Sequence, residues 1–218
     1  MSLRITISKE NYLKAIAEAE SEGEVVKAVT LVRWLGVSAP AVTMAIKRLR
    51  RDVLIAVGKE GQLTLTPAGR DIANRILNRH HLIERMLTEI FGLEWYKVHD
   101  EAEQLEHAVS ADFESKLIEK LGTSRECPHG NQVGLESPAQ RRRRGLRTLE
   151  EARTGQRLIV ASVFERDREL LEYLDQAGIR PGVQVEVAST GAEIQLVAEG
   201  RATQIHRAAA AKVWVRPA

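Results

Sequence analysis

The sequence predicts a mainly α fold that closes with a small β-rich unit, and three observations carry the prediction. Through the first half, apolar residues recur at helical spacing between glycine and proline breaks. One pair of alternating runs, residues 53–57 and 62–66, interrupts those helices early. In the last third the helical period gives way to short β-rich runs. At 218 residues there is room for one large domain or two to three small ones. The single cysteine excludes an internal disulfide framework and fits a reducing, cytoplasmic setting. No apolar run approaches the ~18 residues of a membrane span, and no basic-then-apolar leader is present, so no membrane partner is expected. Aromatic residues make up only 4%, which argues against nucleic-acid binding by base stacking.

The elements follow in order. Ser8 is placed to cap a first helix with Tyr12, Leu13 and Ile16 on its apolar face, broken at Gly23. A second apolar run, Val25, Val29, Val32 and Leu35, stops at Gly36. Ser38-Ala39-Pro40 then supplies a capping hydroxyl and a first-turn proline. The helix that follows buries Val42, Ile46 and Leu49 and turns Ala41, Thr43, Met44, Lys47, Arg48 and Arg51 outward. Helix, glycine turn and a capped helix with a basic outer face form a helix-turn-helix pattern whose second helix enters a major groove. The β-hairpin after it makes a winged helix, with Lys59 at the wing tip. A merely solvated basic face is the plain alternative, and the ordered glycine turn and wing weigh against it. The expected DNA contacts are Ser38, Pro40, Ala41, Thr43, Met44, Lys47, Arg48, Arg51 and Lys59, and the partner is a double-stranded operator. Small side chains at 40, 41 and 43 offer limited base reading, so DNA shape should supply part of the specificity.

Charge changes sign along the chain. Residues 1–75 hold 12 Lys/Arg against 8 Asp/Glu, residues 76–122 hold 5 against 10, and residues 123–218 hold 15 against 12. A basic head attracts phosphate, whereas an acidic middle attracts cations. In that middle, Thr66-Pro67 starts a long helix carrying Ile72, Ile76, Ile83, Leu87 and Ile90 up to Gly92. A second helix is expected near residues 100–109, and Ser110 caps a third that ends at Gly122. Their apolar surface exceeds one core, which points to a homodimer. His80 and Glu84 lie four apart, and His99, Glu103, Glu106 and His107 fall within roughly a 100° arc of an ideal helix. Imidazole and carboxylate donors together suit Mn²⁺, Fe²⁺ or Zn²⁺, whereas soft-metal sites would want sulfur. Met86, the one thioether nearby, is assigned to the helix core.

Several runs carry a family resemblance: Glu10-Asn11-Tyr12-Leu13, the winged helix, Arg79-His80-His81-Leu82-Ile83-Glu84, Lys97-Val98-His99-Asp100-Glu101-Ala102, Glu106-His107 and Cys127-Pro128-His129-Gly130-Asn131. Through them the chain resembles the diphtheria toxin repressor family of iron- and manganese-dependent regulators (DtxR/MntR/IdeR), over nearly its whole length. The resemblance implies two metal positions. The primary one takes Asn11, Glu103, Glu106 and His107, and an ancillary one takes His80, Glu84 and His99. Glutamate at 103 is the manganese-type residue, where iron-type members have cysteine. Two positions depart from the manganese type. Asn11 stands in place of an aspartate, and Lys14 stands where a bridged metal pair uses a carboxylate. One or two ions per subunit are expected, Mn²⁺ first and Fe²⁺ as the alternative.

Residues 134–144, with Pro138 and four consecutive arginines, read as a solvated tether. Cys127 and His129 read as a packed turn rather than as ligands. Strands are expected over 157–163, 183–187, 194–197 and 212–215, with a short helix over 169–174 ending at Gly178. This part resembles the SH3-like (FeoA-like) domain of the family, whose loop before the helix lends a ligand to the ancillary metal. Asp167 is assigned that role, with Glu165 and Glu169 in the same loop.

The expected organisation is a winged helix-turn-helix DNA-binding domain (1–74), a helical dimerisation and metal-binding domain (75–133), a linker (134–147) and a small carboxy-terminal SH3-like β-barrel (148–218). The expected function is a metal-dependent repressor of metal-uptake genes, with no catalytic activity and no small-molecule substrate. A di-metal oxidase would need paired Glu-x-x-His motifs on helices. The sole such spacing, Glu126 to His129, is interrupted by Pro128. A winged-helix sensor of an organic ligand, with the His/Glu cluster purely structural, is the other rival.

Overall fold

The computed structural model describes residues 5–122, 126–132 and 136–218. They fall into two compact units, the described residues of 1–79 with those of 133–138, and the described residues of 80–132 with those of 139–218.

In the first unit, α1 (Ile7–Ser21), α2 (Ala28–Leu35) and α3 (Ala39–Arg51) precede a two-stranded hairpin, β1 (Ile55–Val57) and β2 (Leu63–Leu65). The cap of α1 is Thr6, whose side chain accepts the Lys9 N–H, two residues before the Ser8 expected for it. Gly36 closes α2 in the left-handed region at φ 63°, and the Ser38 hydroxyl accepts the Ala41 N–H to open α3. Val42, Ala45 and Leu49 bury the inner face of α3 against Leu13, Ile16 and Leu31, each valine, leucine or isoleucine contributing about 1.5–3 kcal/mol. The apolar register of the second helix differs from expectation: Val25 and Val29 are exposed, and Val26 and Leu31 are buried instead. One reason is the hairpin, since Leu63 N–H donates to the Val26 carbonyl and pins that strand-like residue inward. The tip of the wing turns through Glu60 and Gly61, both at positive φ.

Helix α4 (Pro67–Arg85) starts on the Thr66 hydroxyl, which accepts the Gly69 N–H. Gly69 is required there, because a Cβ would sit 2.0 Å from the Leu54 carbonyl oxygen. The end of α4 widens over Met86–Ile90 into a turn with i→i+5 spacing, as in Phe91 N–H to the Met86 carbonyl.

The second unit joins the last turns of α4 and helices α5 (Val98–Leu105) and α6 (Ala111–Leu121) to an open six-stranded antiparallel sheet. The sheet comprises β3 (Arg147–Thr148), β4 (Arg157–Val163), β5 (Gln184–Thr190), β6 (Glu193–Ala198), β7 (Arg201–His206) and β8 (Val213–Pro217), in the order β3-β8-β4-β5-β6-β7. The tether expected over 134–144 is folded from Pro138 onward. Helix α7 (Pro138–Arg143) buries Arg141, and the Arg141 and Arg142 guanidiniums lie 5.2 and 5.7 Å from the Trp214 ring centre. Helix α8 (Arg168–Gln176) covers the sheet with Leu171 and Leu174, and a four-residue α9 (Arg207–Ala210) leads into β8. Trp95 and Tyr96 pack on the sheet core, and Trp95 Nε1–H donates to Asp175 at 2.6 Å.

Candidate metal centre and nucleic-acid interface

All nine residues expected to meet DNA are exposed in the first unit: Ser38, Pro40, Ala41, Thr43, Met44, Lys47, Arg48 and Arg51 along α3, and Lys59 on the wing. Part of that surface is held by local bonds. The Thr43 hydroxyl donates to the Ala39 carbonyl, Arg48 Nε–H to the Met44 carbonyl, and Arg51 pairs with Asp52 at 3.1 Å. The face is basic because Arg48, Arg50 and Arg51 crowd the last turn, where cations also oppose the helix dipole.

Four of the six histidines meet in the interior of the second unit. His80, His81, His99 and His129 are almost fully buried, together with Glu84, Glu165 and Cys127. Helix α4 presents three of these side chains within two turns, because positions 80, 81 and 84 span roughly 100° on the helix wheel. Helix α5 brings His99. The turn Cys127–Asn131 closes on itself, with Cys127 N–H to the Asn131 carbonyl at 3.0 Å and Gly130 N–H to the Cys127 carbonyl at 2.9 Å. It is seated on β4 by Val163 N–H to the His129 carbonyl. Glu165 follows the end of that strand.

On one side, His80 Nε2, His99 Nδ1 and Glu84 Oε1 form a triangle with edges of 3.0, 3.0 and 3.2 Å. The His80 ring is oriented by Glu106, whose Oε2 accepts Nδ1–H at 2.6 Å and leaves the Nε2 lone pair facing inward. On the other side, His129 Nδ1 lies 3.4 Å from Glu84 Oε1, 3.7 Å from Glu165 Oε2 and 3.8 Å from Cys127 Sγ, with Cys127 Sγ 3.5 Å from Glu165 Oε2. Those separations match the roughly 3.3–3.8 Å edges of a tetrahedral site with nitrogen, oxygen and sulfur ligands. His129 Nε2–H donates to the Trp95 carbonyl at 2.9 Å, so its Nδ1 lone pair is the one that points at the cluster.

Electrostatics explain why these groups tolerate burial together. Burial would raise the Glu84 pKa, but the His129 and His80 imidazoles outweigh it and hold the carboxyl well below the usual range. For Glu165, burial and the Glu84 charge oppose ionisation, and the His81 and His99 rings overcome both and lower its pKa. Burial is opposed likewise at His129, where Glu84 pushes the imidazole pKa up. The Cys127 thiol is pushed well up by burial, then by the Glu165 and Glu84 carboxylates. Among the described residues, Glu84 Oε2 and both ring nitrogens of His81 are buried without a hydrogen bond. Buried polar atoms left unsatisfied cost about 1–3 kcal/mol each. A divalent cation accepting these lone pairs relieves that cost, so the residues present fit a metal.

The expected site residues divide as follows. His80, Glu84 and His99 are brought together. Glu106 joins them through His80, and His107 Nε2 lies 3.4 Å from Glu106 Oε1. Glu103 is exposed, pairs with Arg166 at 3.0 Å and lies 3.7 Å from His99 Nε2. Asn11 is exposed on α1 of the first unit. Asp167 is not in the cluster: its carboxylate caps α8 by accepting the Leu170 N–H at 3.0 Å, and Glu165 supplies the acidic group instead. The reading of Cys127 and His129 as packing alone is revised, since both donors face Glu84 and Glu165. Sequence reasoning also missed His81. The Cys-Pro-His-Gly-Asn run and the doubled histidine were the available signals.

Comparison with known proteins bears on the same regions. Residues 4–63 match the iron dependent repressor N-terminal DNA binding domain, 66–133 its metal binding and dimerisation domain, and 147–217 the FeoA domain. The diphtheria toxin repressor of Corynebacterium glutamicum is 31% identical over 206 residues, covering 90% of each chain. The iron-dependent repressor IdeR of Mycobacterium tuberculosis is 31% identical over 203 residues, covering 88% of each. Among solved structures, a manganese-dependent transcriptional repressor in complex with manganese superposes with a TM-score of 0.85 at 30% identity, covering 96% of this chain and all of that one. The manganese regulator SloR superposes at 0.77 with 26% identity, covering 98% and 100%. By these matches the chain belongs to the iron-dependent repressor family.

Proposed function

We propose that this protein is a metal-activated transcriptional repressor that binds a double-stranded operator as a homodimer in the cytoplasm and controls metal-ion uptake genes. The observation that carries the reading is the buried His/Glu/Cys cluster with its unsatisfied lone pairs, in a chain that also bears an exposed basic recognition helix. His80, Glu84 and His99, with Cys127, His129 and Glu165, form one metal-binding pocket. Asn11, Glu103, Glu106 and His107 are proposed as the primary ligand set, on the family resemblance. When bound, the cation supplies positive charge and fixed ligand directions to helices that otherwise carry an excess of carboxylate. Glu106 serves both sets, as a ligand in one and as the group that fixes the His80 tautomer in the other.

Mn²⁺ is the proposed activator, favoured by Glu103 and by the mainly hard donors of the pocket. Fe²⁺ is the alternative, and Cys127 favours it by adding a soft thiolate that the hard-donor argument had left out. Chelator-treated protein reloaded anaerobically with either ion, then titrated onto duplexes selected from a random pool, decides between them. Mn²⁺ is expected to restore binding at lower free concentration than Fe²⁺, and the reverse order would assign the iron reading. Glu84→Gln is expected to lose at least tenfold in metal affinity and to need correspondingly more Mn²⁺ for DNA binding.

A further inference from the structure

Two groups of buried donors meet in this pocket, and both contain Glu84 and Glu165. One adds His80 and His99, and the other adds His81 and Cys127. Within each group a donor atom from every residue lies within 4.8 Å of all the others. The helix accounts for the division. At about 100° per residue, Glu84 lies between His80 and His81 on the wheel, so the two rings flank the same carboxylate on opposite sides.

The two carboxylates sit between those donors. Glu84 Oε1 faces His80 and His99 at 3.0 and 3.2 Å, whereas Oε2 is buried with no hydrogen bond among the described residues. Glu165 Oε2 accepts Asn131 Nδ2–H at 2.6 Å and Cys127 Sγ–H at 3.5 Å, whereas Oε1 faces His81 Nε2 at 3.6 Å. Glu84 Oε1 also lies 3.4 Å from His129 Nδ1, so this carboxylate faces donors on both sides, and Glu165 belongs with it to both groups. A carboxylate placed between two donor sets has the form of a bridging ligand. Charge points the same way. Glu84, Glu165 and Glu106 place three carboxylates in an interior where each residue is no more than 7% exposed, with the Cys127 thiol 3.5 Å from Glu165. One divalent cation balances two of the three carboxylate charges and leaves a third, which buried charge disfavours. His81 is the private witness to the second position. It is 1% exposed with neither nitrogen hydrogen-bonded among the described residues, and no ion held by His80, Glu84 and His99 alone would engage it.

We propose that this pocket takes a pair of divalent transition-metal cations sharing Glu84 and Glu165, one held by His80 and His99, the other by His81, Cys127 and His129. The inference rests on the metal-dependent reading above, in that a cation must enter the pocket at all.

Electron paramagnetic resonance of the full-length protein, stripped and reloaded with Mn²⁺, tests it directly. Two Mn²⁺ ions joined by shared carboxylates are exchange-coupled and lose the hyperfine pattern of the isolated ion. The coupled signal is expected in the wild type and in His107→Ala, which disables the other proposed ligand set. His81→Gln, checked for its fold by circular dichroism, is expected to bind one ion fewer and to show the isolated-ion pattern. A saturated wild type with only isolated-ion signals would overturn the pair and leave the metal-dependent reading standing. So would a His81→Gln variant with unchanged metal content and coupling. Failure to take up Mn²⁺ at all would instead bring down the metal-dependent reading itself.

Discussion

Val53 stands between α3 and the wing at φ 57°, a conformation that a β-branched side chain adopts only at a cost of about 1–3 kcal/mol. Its side chain is 69% exposed, so little packing is lost by removing it. Val53→Gly is therefore expected to stabilise the protein by about 1 kcal/mol, allowing for the added freedom of the unfolded chain. Thermal melts in chelator check this, and an unchanged or lower midpoint would contradict it. Gly130 has the opposite character. At φ 77° its absent Cβ leaves room for the Ala161 carbonyl oxygen, which a methyl would meet at 2.0 Å. Gly130→Ala is expected to cost more than about 2 kcal/mol and to displace His129. Urea titration and metal content, measured side by side, should both fall.

Among the elements, the recognition helix was the most legible in sequence. The Ser38 cap, the buried positions 42 and 49 and the exposed basic face all follow from local chemistry that needs no partner to be read. Lys47→Ala is expected to weaken binding to all duplexes alike and to reduce the salt slope of log K by about 1, as measured by fluorescence anisotropy across ionic strengths. A loss confined to one operator sequence would mark Lys47 as a base reader instead. Helix α7 was not legible, because an arginine run reads as solvated until Trp214, over seventy positions later, is folded beneath it. Strand β7 was missed for a related reason: Arg201–His206 is polar and at the sheet edge, and its pairing with β6 is set by the register of its neighbour.

At the scale of the whole molecule, the candidate metal pocket was half legible. His80, Glu84 and His99 follow from helical spacing and family resemblance, but Cys127, His129 and Glu165 reach the pocket only through tertiary folding. Asp167 lies outside that pocket as the cap of α8, and a helix-capping aspartate and a ligand aspartate look alike in sequence. Burial and carboxylates keep the Cys127 thiol protonated well above its ordinary range, and Glu84 raises the His129 pKa. The thiol must give up its proton to ligate, and the raised imidazole pKa makes protons compete with the cation at His129. Metal binding near neutral pH is thus expected to release protons and to weaken as pH falls. Calorimetry in buffers of different ionisation enthalpy checks it: a heat independent of buffer would contradict the pocket chemistry.

The central claim is that a bound cation makes the winged helix competent for its operator. To change affinity tenfold, metal need supply only about 1.4 kcal/mol of differential binding. The most direct measurement is a gel shift on one selected duplex with chelator-treated protein and with the same protein restored to Mn²⁺. Restoration is expected to tighten binding at least tenfold, and equal affinity in the two states would contradict the account.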